Sequence, residues 1–131
     1  MGQIDYSFND NDQILYIHFS DEITVAEILE YIDKVGQDKS LPRILKILED
    51  RRGGSFNFSI RENIKISKYA AQFANDYEKI YMAAVNDKPK ETAFTIDYQI
   101  LISKLSNKET IKTFTTVEAA KNWLFRMAPN R

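Results

Sequence analysis

The spacing of apolar residues in this chain switches repeatedly between a period of two and a period near three and a half, and this limits the fold more than any other feature. Ile4, Tyr6 and Phe8 alternate with polar neighbours, and the alternation resumes at Leu15, Ile17 and Phe19 after the Asn- and Asp-rich residues 9–12. This predicts a β-hairpin whose turn tolerates left-handed backbone. Val25, Ile28, Leu29, Ile32 and Val35 then recur at helical spacing, with Thr24 and Glu27 as a capping box and Gly36 as a stop. A short apolar run over 44–48 reads as a buried strand. A helix of about five turns follows, with Ile60, Ile64, Ile66, Tyr69, Ala70, Phe73, Ala74 and Tyr77 along one side.

Residues 80–85 are the next strand. Residues 92–105, TAFTIDYQILISKL, fit either period, because Phe94, Ile96, Tyr98 and Ile100 alternate while Phe94, Tyr98, Leu101 and Leu105 line a helix. Helix is the reading adopted, since a crossover is needed before 111–114 can pair in parallel. Thr115 and Glu118 then suggest a capping box ahead of Val117, Ala120, Trp123 and Leu124. The expected order is β-β-α-β-α-β-α-β-α. This is an α/β fold with a single mixed, mostly parallel five-stranded sheet and right-handed crossovers.

The length, 131 residues, suits one domain spanning 1–131. A net charge of -1 with interspersed signs carries no electrostatic footprint for nucleic acid or an anionic membrane surface. With no cysteine, thiol nucleophiles, disulfides and thiolate metal sites are excluded. The opening residues lack the basic and apolar regions of a signal peptide, and no run approaches the ~20 apolar residues of a membrane span. A soluble cytoplasmic protein is the expectation.

Four stretches carry a family resemblance: the opening hairpin, ILKILEDRRGGSFNFSIREN (44–63), KIYMAAVND (79–87) and the tail IKTFTTVEAAKNWLF (111–125). In these the chain resembles the STAS-like superfamily, specifically its SpoIIAA-like branch of small bacterial proteins related in fold to anti-sigma-factor antagonists. The resemblance implies a regulatory or protein-interaction role. It also implies a switch serine in the loop after the third strand, within an Asp-Ser-Ser-Gly type motif. Here that region runs from Glu49 to Ser55 with its acid, glycines and serine in a different order.

The stretch ILEDRRGGSFNFSIREN (47–63) is the focus of the functional reading. It lacks the lysine of a phosphate-binding P-loop. What remains is an anion or phosphorylation site at Ser55 or Ser59 supported by Arg51, Arg52 and the helix start, or simply a turn followed by Ser59 as N-cap with Glu62. Phe56 and Phe58 either form an exposed apolar patch or fold inward over the sheet; both readings stand. Together with Glu49 and Asp50 they are the candidate partner-binding residues.

His18, the only histidine, shares a strand face with Tyr16 and has no recognisable nucleophile for company. Asp21, Glu22, Glu49, Asp50, Asn86 and Asp87 fall at strand ends, a rim that would suit Mg²⁺ only if the acids converge. Neither a catalytic residue, a metal site nor a cofactor is assigned. The expected function is a non-enzymatic module that binds a protein partner or itself through the loop and helix start after the third strand. The alternative is a carrier of a small apolar ligand or lipid; a phospho-regulated anti-sigma factor antagonist is third.

Overall fold

The computed structural model describes residues 2–127. Its elements are β1 (Gln3–Asn9), β2 (Ile14–Ile23), α1 (Val25–Gln37), β3 (Ile44–Phe56), α2 (Ile60–Ala74), β4 (Lys79–Val85), α3 (Pro89–Leu105), β5 (Glu109–Phe114) and α4 (Val117–Arg126). The five strands lie in the order β1-β2-β3-β4-β5, antiparallel at the hairpin and parallel thereafter. Each crossover steps to the adjacent strand in the same direction, so crossovers of one hand stack α1, α2 and α3 on one face. Residues 92–105 belong to α3, which supplies the crossover that the parallel β4–β5 pair requires.

The hairpin turn is organised by Asn9, whose Oδ1 accepts hydrogen bonds from the backbone N–H groups of Asn11 and Asp12. The left-handed residue of that turn is Gln13, with φ of 60°. The expected capping boxes of α1 and α2 are both formed, by Thr24 with Glu27 and by Ser59 with Glu62. The closing helix is capped one residue later than expected. Thr116, not Thr115, accepts the backbone N–H of Ala119, at 3.2 Å. Gly36 does not stop α1 but lies within it, where a Cβ would come 3.3 Å from the Phe73 ring. Its smallness lets α1 and α2 approach closely.

The principal departure from expectation is the length of β3. Residues 51–55 are strand, not loop, because β2 also continues beyond Phe19 and pairs its residues 20–23 with 53–56. The register shifts between His18 and Ser20, and Asp21 adopts a left-handed φ of 61°. The two glycines are there for proximity. A Cβ on Gly53 would stand 2.9 Å from the Phe19 carbonyl oxygen, and one on Gly54 3.0 Å from the Phe19 Cβ. Neither has positive φ. Gly-Gly here marks two strands pressed together, not a reversal of the chain.

The major core lies between the sheet and α1, α2 and α3. It is built from Leu15, Ile17, Phe19, Leu45, Ile47, Ile80 and Ile111 on the strands and from Ile28, Val35, Ile66, Ala70, Tyr98 and Ile102 on the helices. The opposite face carries α4 alone, which packs Ala120, Trp123 and Leu124 over Ile14, Leu48, Ala83 and Val85. Each fully buried aliphatic side chain contributes about 1.5–3 kcal/mol relative to exposure. Ile60, assigned from its spacing to the inner side of α2, is 81% exposed. It sits at N1, before the helix turns its apolar stripe to the sheet.

Candidate functional site

Because β3 remains extended through 49–52, its side chains alternate faces, and the sequence Glu-Asp-Arg-Arg resolves into two ion pairs on opposite sides of the sheet. On the face away from α1–α3, Arg52 donates from Nε to Asp50 Oδ1 (2.9 Å) and from Nη2 to Oδ2 (2.8 Å). Those hydrogen bonds hold the Asp50 carboxyl below its ordinary range, with His18 Nδ1 a further 3.9 Å neighbour. This pair is partly solvated.

On the helix face the second pair is enclosed. Arg51 donates from Nε (2.8 Å) and Nη2 (2.5 Å) to Glu49 Oε1, while the Tyr31 hydroxyl donates to Glu49 Oε2 at 2.8 Å. Both carboxylate oxygens of Glu49 are therefore engaged. The third arm of the guanidinium, Nη1, donates to Thr95 Oγ1 at 2.9 Å. Three rings, Phe19, Phe56 and Phe94, surround the cation with centroids 5.4–5.9 Å from its carbon. Burying such a pair is costly, and completing its hydrogen bonds is what makes it tolerable.

The network extends into α3 and past β4. Thr95 also accepts from Asn86 Nδ2 at 3.0 Å and donates to the Glu91 carbonyl at 2.9 Å; Asn86 Nδ2 reaches Thr113 as well. The buried Glu91 carboxylate accepts the backbone N–H of Phe56 at 3.3 Å, tying the end of β3 to the first turn of α3. Asn86, expected on an exposed rim, is thus turned inward as a latch between α3 and β5.

Beside this network lies a narrow cavity of about 50 Å³. Its walls are apolar, with Ile28, Ile32, Val35, Ile66, Ala70 and Met82 prominent, and its polar lining comes from Tyr31, Glu49, Arg51, Tyr98 and Glu109. Phe58 and Phe94 also line it, in edge-to-face contact at 5.2 Å, and Phe94 stacks on Phe56 at 5.8 Å. Phe58 and Phe94 are half-buried, like Ile32, Phe73 and Glu109 of the same lining, and this pair of contacting rings forms an aromatic lid over one part of the cavity.

Glu109, the first residue of β5, is the unusual member. The residue as a whole retains some solvent contact, yet its Oε2 has essentially none and lacks any hydrogen-bond partner. Burial, reinforced by the Glu49 carboxylate and opposed by Lys79, pushes its pKa up to about 8. The carboxyl is therefore mostly protonated at neutral pH. Burial likewise raises the Tyr98 and Tyr31 phenols, the first further raised by Glu109 and the second by Glu49.

The structure separates the residues that the sequence grouped together. Glu49, Arg51 and Phe56 are buried, which corrects their reading as loop residues. Phe58 is half-buried and packs on the core, so the inward alternative for the two phenylalanines holds. Asp50 and Arg52 lie on the far face. Ser55 is a half-buried strand residue opposite Glu22, and the Ser59 hydroxyl accepts the N–H of Glu62. An anion site would need free arginines, whereas each is bonded to the acid two positions before it.

Nor do the strand-end acids converge: among the described residues no cluster of three or more acids or histidines is placed to hold a metal ion. Tyr31, Tyr98, Thr95 and Glu109 were not picked out as site residues from the sequence. Only the strand period through Arg51 points toward them, and only once β3 is known to continue.

This architecture defines a class: a single mixed sheet with α1, α2 and α3 on one face, α4 on the other, and a polar pocket under the larger helical layer. The fold is SpoIIAA-like. A crystal structure of an uncharacterised protein of the DUF3478 family from Shewanella loihica PV-4, described as having a SpoIIAA-like fold, superposes with a TM-score of 0.59 at 13% identity, covering 94% of this chain and 93% of that one. No protein-family model matches the sequence, and no curated protein does. Among the described residues, no helix is long and apolar enough to cross a membrane.

Proposed function

We propose that the protein is a non-enzymatic binding module that takes a small, largely apolar ligand into the cavity beneath the Phe58–Phe94 lid. The observation that carries this reading is a largely apolar cavity inside the core with the Glu109 side chain in its lining. Folded interiors are close-packed, so a void among apolar side chains with a carboxyl in its lining is a departure that a ligand would explain. A volume of about 50 Å³ restricts the ligand to a short chain or small ring unless the lid swings out.

The test is ligand-detected NMR screening of a small-fragment collection against the natural chain and an Ala70→Leu variant, whose added atoms would fill the cavity. Binding that disappears in a folded Ala70→Leu variant supports the reading. Absence of any bound fragment, or binding indifferent to Ala70→Leu, removes it.

A second reading, self-association, is favoured by α3, where Ile96 and Ile100 lie one turn apart and are 43% and 51% exposed. The partner surface would then be the outer face of α3 and not the 49–58 segment. Sedimentation across a concentration series, with Ile96→Glu and Ile100→Glu as controls, distinguishes a dimer from a monomer.

A further inference from the structure

The cavity holds one carboxyl group more than it holds cations to match. Glu49 is neutralised by Arg51 and capped by Tyr31, and the guanidinium is closed in by Thr95 and three rings. An anionic ligand would find no free cation there. Glu109 has no such partner. We propose that the cavity selects a small apolar primary amine, bound as its ammonium against the Glu109 carboxylate, an assignment that rests on the pocket reading above.

Several features support the assignment. Glu109 lines the cavity and its Oε2 has no hydrogen-bond partner, so a rotation of the carboxyl would present to a bound N⁺–H an acceptor with no competing protein donor to displace. Phe94, Phe58, Phe73 and Tyr98 line the same cavity, offering ring faces to an ammonium and apolar contact to its alkyl or aryl body. The charged or titratable groups around Glu109 are Glu49 and Arg51 on β3, Lys79 on β4, Tyr98 on α3 and Tyr31 on α1; those of α2 that line the cavity are apolar. Arg51 is already paired with Glu49. Lys79 makes no ion pair with Glu109, its Nζ lying 5.4 Å from the Tyr81 ring centroid. Within the cavity lining, no cation is left unpaired to meet an ionised Glu109, which only the more distant Lys79 and solvent partly offset.

A free alkyl amine resembles the lysine side chain and arrives protonated at neutral pH. Glu109 begins mostly protonated and must lose its proton to form the ion pair. Binding near pH 7 therefore releases close to one proton to solvent, no covalent bond changes, and affinity rises with pH until Glu109 is already ionised in the free protein.

The experiment is calorimetric titration of the natural chain with n-butylamine, n-butanol and butyrate at pH 6, 7 and 8.5, each in two buffers of different ionisation enthalpy. The expected result is that butylamine binds about tenfold or more tighter than butanol at pH 8.5, butyrate most weakly, with proton release detected at pH 6 and 7. A Glu109→Gln variant should lose the preference for amine while still binding butanol. Butanol or butyrate binding as well as butylamine, or an amine preference unchanged in Glu109→Gln, overturns the assignment and leaves the pocket reading intact. Failure of all three ligands, with the fragment screen also empty, overturns both.

Discussion

Replacing Glu109 by glutamine keeps the shape of the side chain and removes its titration, so the variant isolates what ionisation at this site costs the fold. In the unfolded chain the carboxyl titrates near its ordinary value of 4.5; in the folded protein burial and Glu49 move it to about 8. Below pH 4.5 both states hold the proton and stability is unaffected. Between 4.5 and about 8 only the folded state holds it, so stability falls as pH rises, by up to about 1.4 kcal/mol per pH unit. Above about 8 both states are ionised and the loss is complete.

From pH 5 to pH 7 the natural chain should therefore lose about 2.5 kcal/mol relative to Glu109→Gln, and somewhat less where water reaches the carboxyl. Urea unfolding of both chains at pH 5, 7 and 8.5 measures this directly. Every other titrating group is common to the two proteins and cancels in the difference. A stability difference that stays flat within about 0.5 kcal/mol across that range would show that Glu109 ionises freely in the fold, and the charge argument for the cavity would go with it.

Arg51→Met leaves Glu49 buried without its cation and should cost about 3–5 kcal/mol in urea unfolding, while Glu49→Leu combined with Arg51→Met should recover most of that loss. Gly53→Ala, which would set a methyl group 2.9 Å from the Phe19 carbonyl, should destabilise by about 1–3 kcal/mol and speed amide exchange over residues 53–56, where an unstrained Gly→Ala change would stabilise. Thr116→Ala should lower stability by about 1 kcal/mol through loss of the α4 cap, whereas Thr115→Ala should be near neutral; equal effects would contradict the cap assignment.

The parts of the fold legible in the sequence were those where period, cap and punctuation agreed. Thr24 with Glu27 and Ser59 with Glu62 marked real helix starts, alternation located β1 and the first half of β2, and short apolar runs located β4 and the first part of β3. Residues 92–105 fitted two patterns because α3 is apolar on its outer side as well: Ile96 and Ile100 are exposed while Tyr98 and Ile102 are buried. Parallel pairing of β4 with β5, a constraint from topology, settled what periodicity could not.

The site was obscured by one local misreading. Glycines and consecutive charges ordinarily signal a turn, but here they permit close strand contact and supply a pair of charges to each face. Reading the strand as ending at Leu48 concealed the burial of Arg51 and Phe56, and with it the pocket. For Glu109 no sequence signal existed: an acid between Lys108 and Thr110 at the start of a strand looks like any surface residue, and only the tertiary packing removes its water.

The location of the pocket follows from the strand order. Open α/β sheets bind ligands at the carboxyl ends of their strands where successive crossovers diverge to opposite faces, because that divergence opens a crevice. Here the parallel strands advance from β2 to β5 without reversal, so α1, α2 and α3 form one unbroken layer and no crevice opens. A polar site in such a fold has to lie between layers. The Glu49–Arg51 pair and Glu109 occupy that position, from the middle of β3 to the amino end of β5. The half-buried side chains of the cavity lining are Phe58 and Phe94, where the link of residues 57–59 meets α3, together with Ile32, Phe73 and Glu109. On the proposed reading, a ligand would enter by movement of these side chains, since a single sheet with one helical layer over the cavity offers no domain closure.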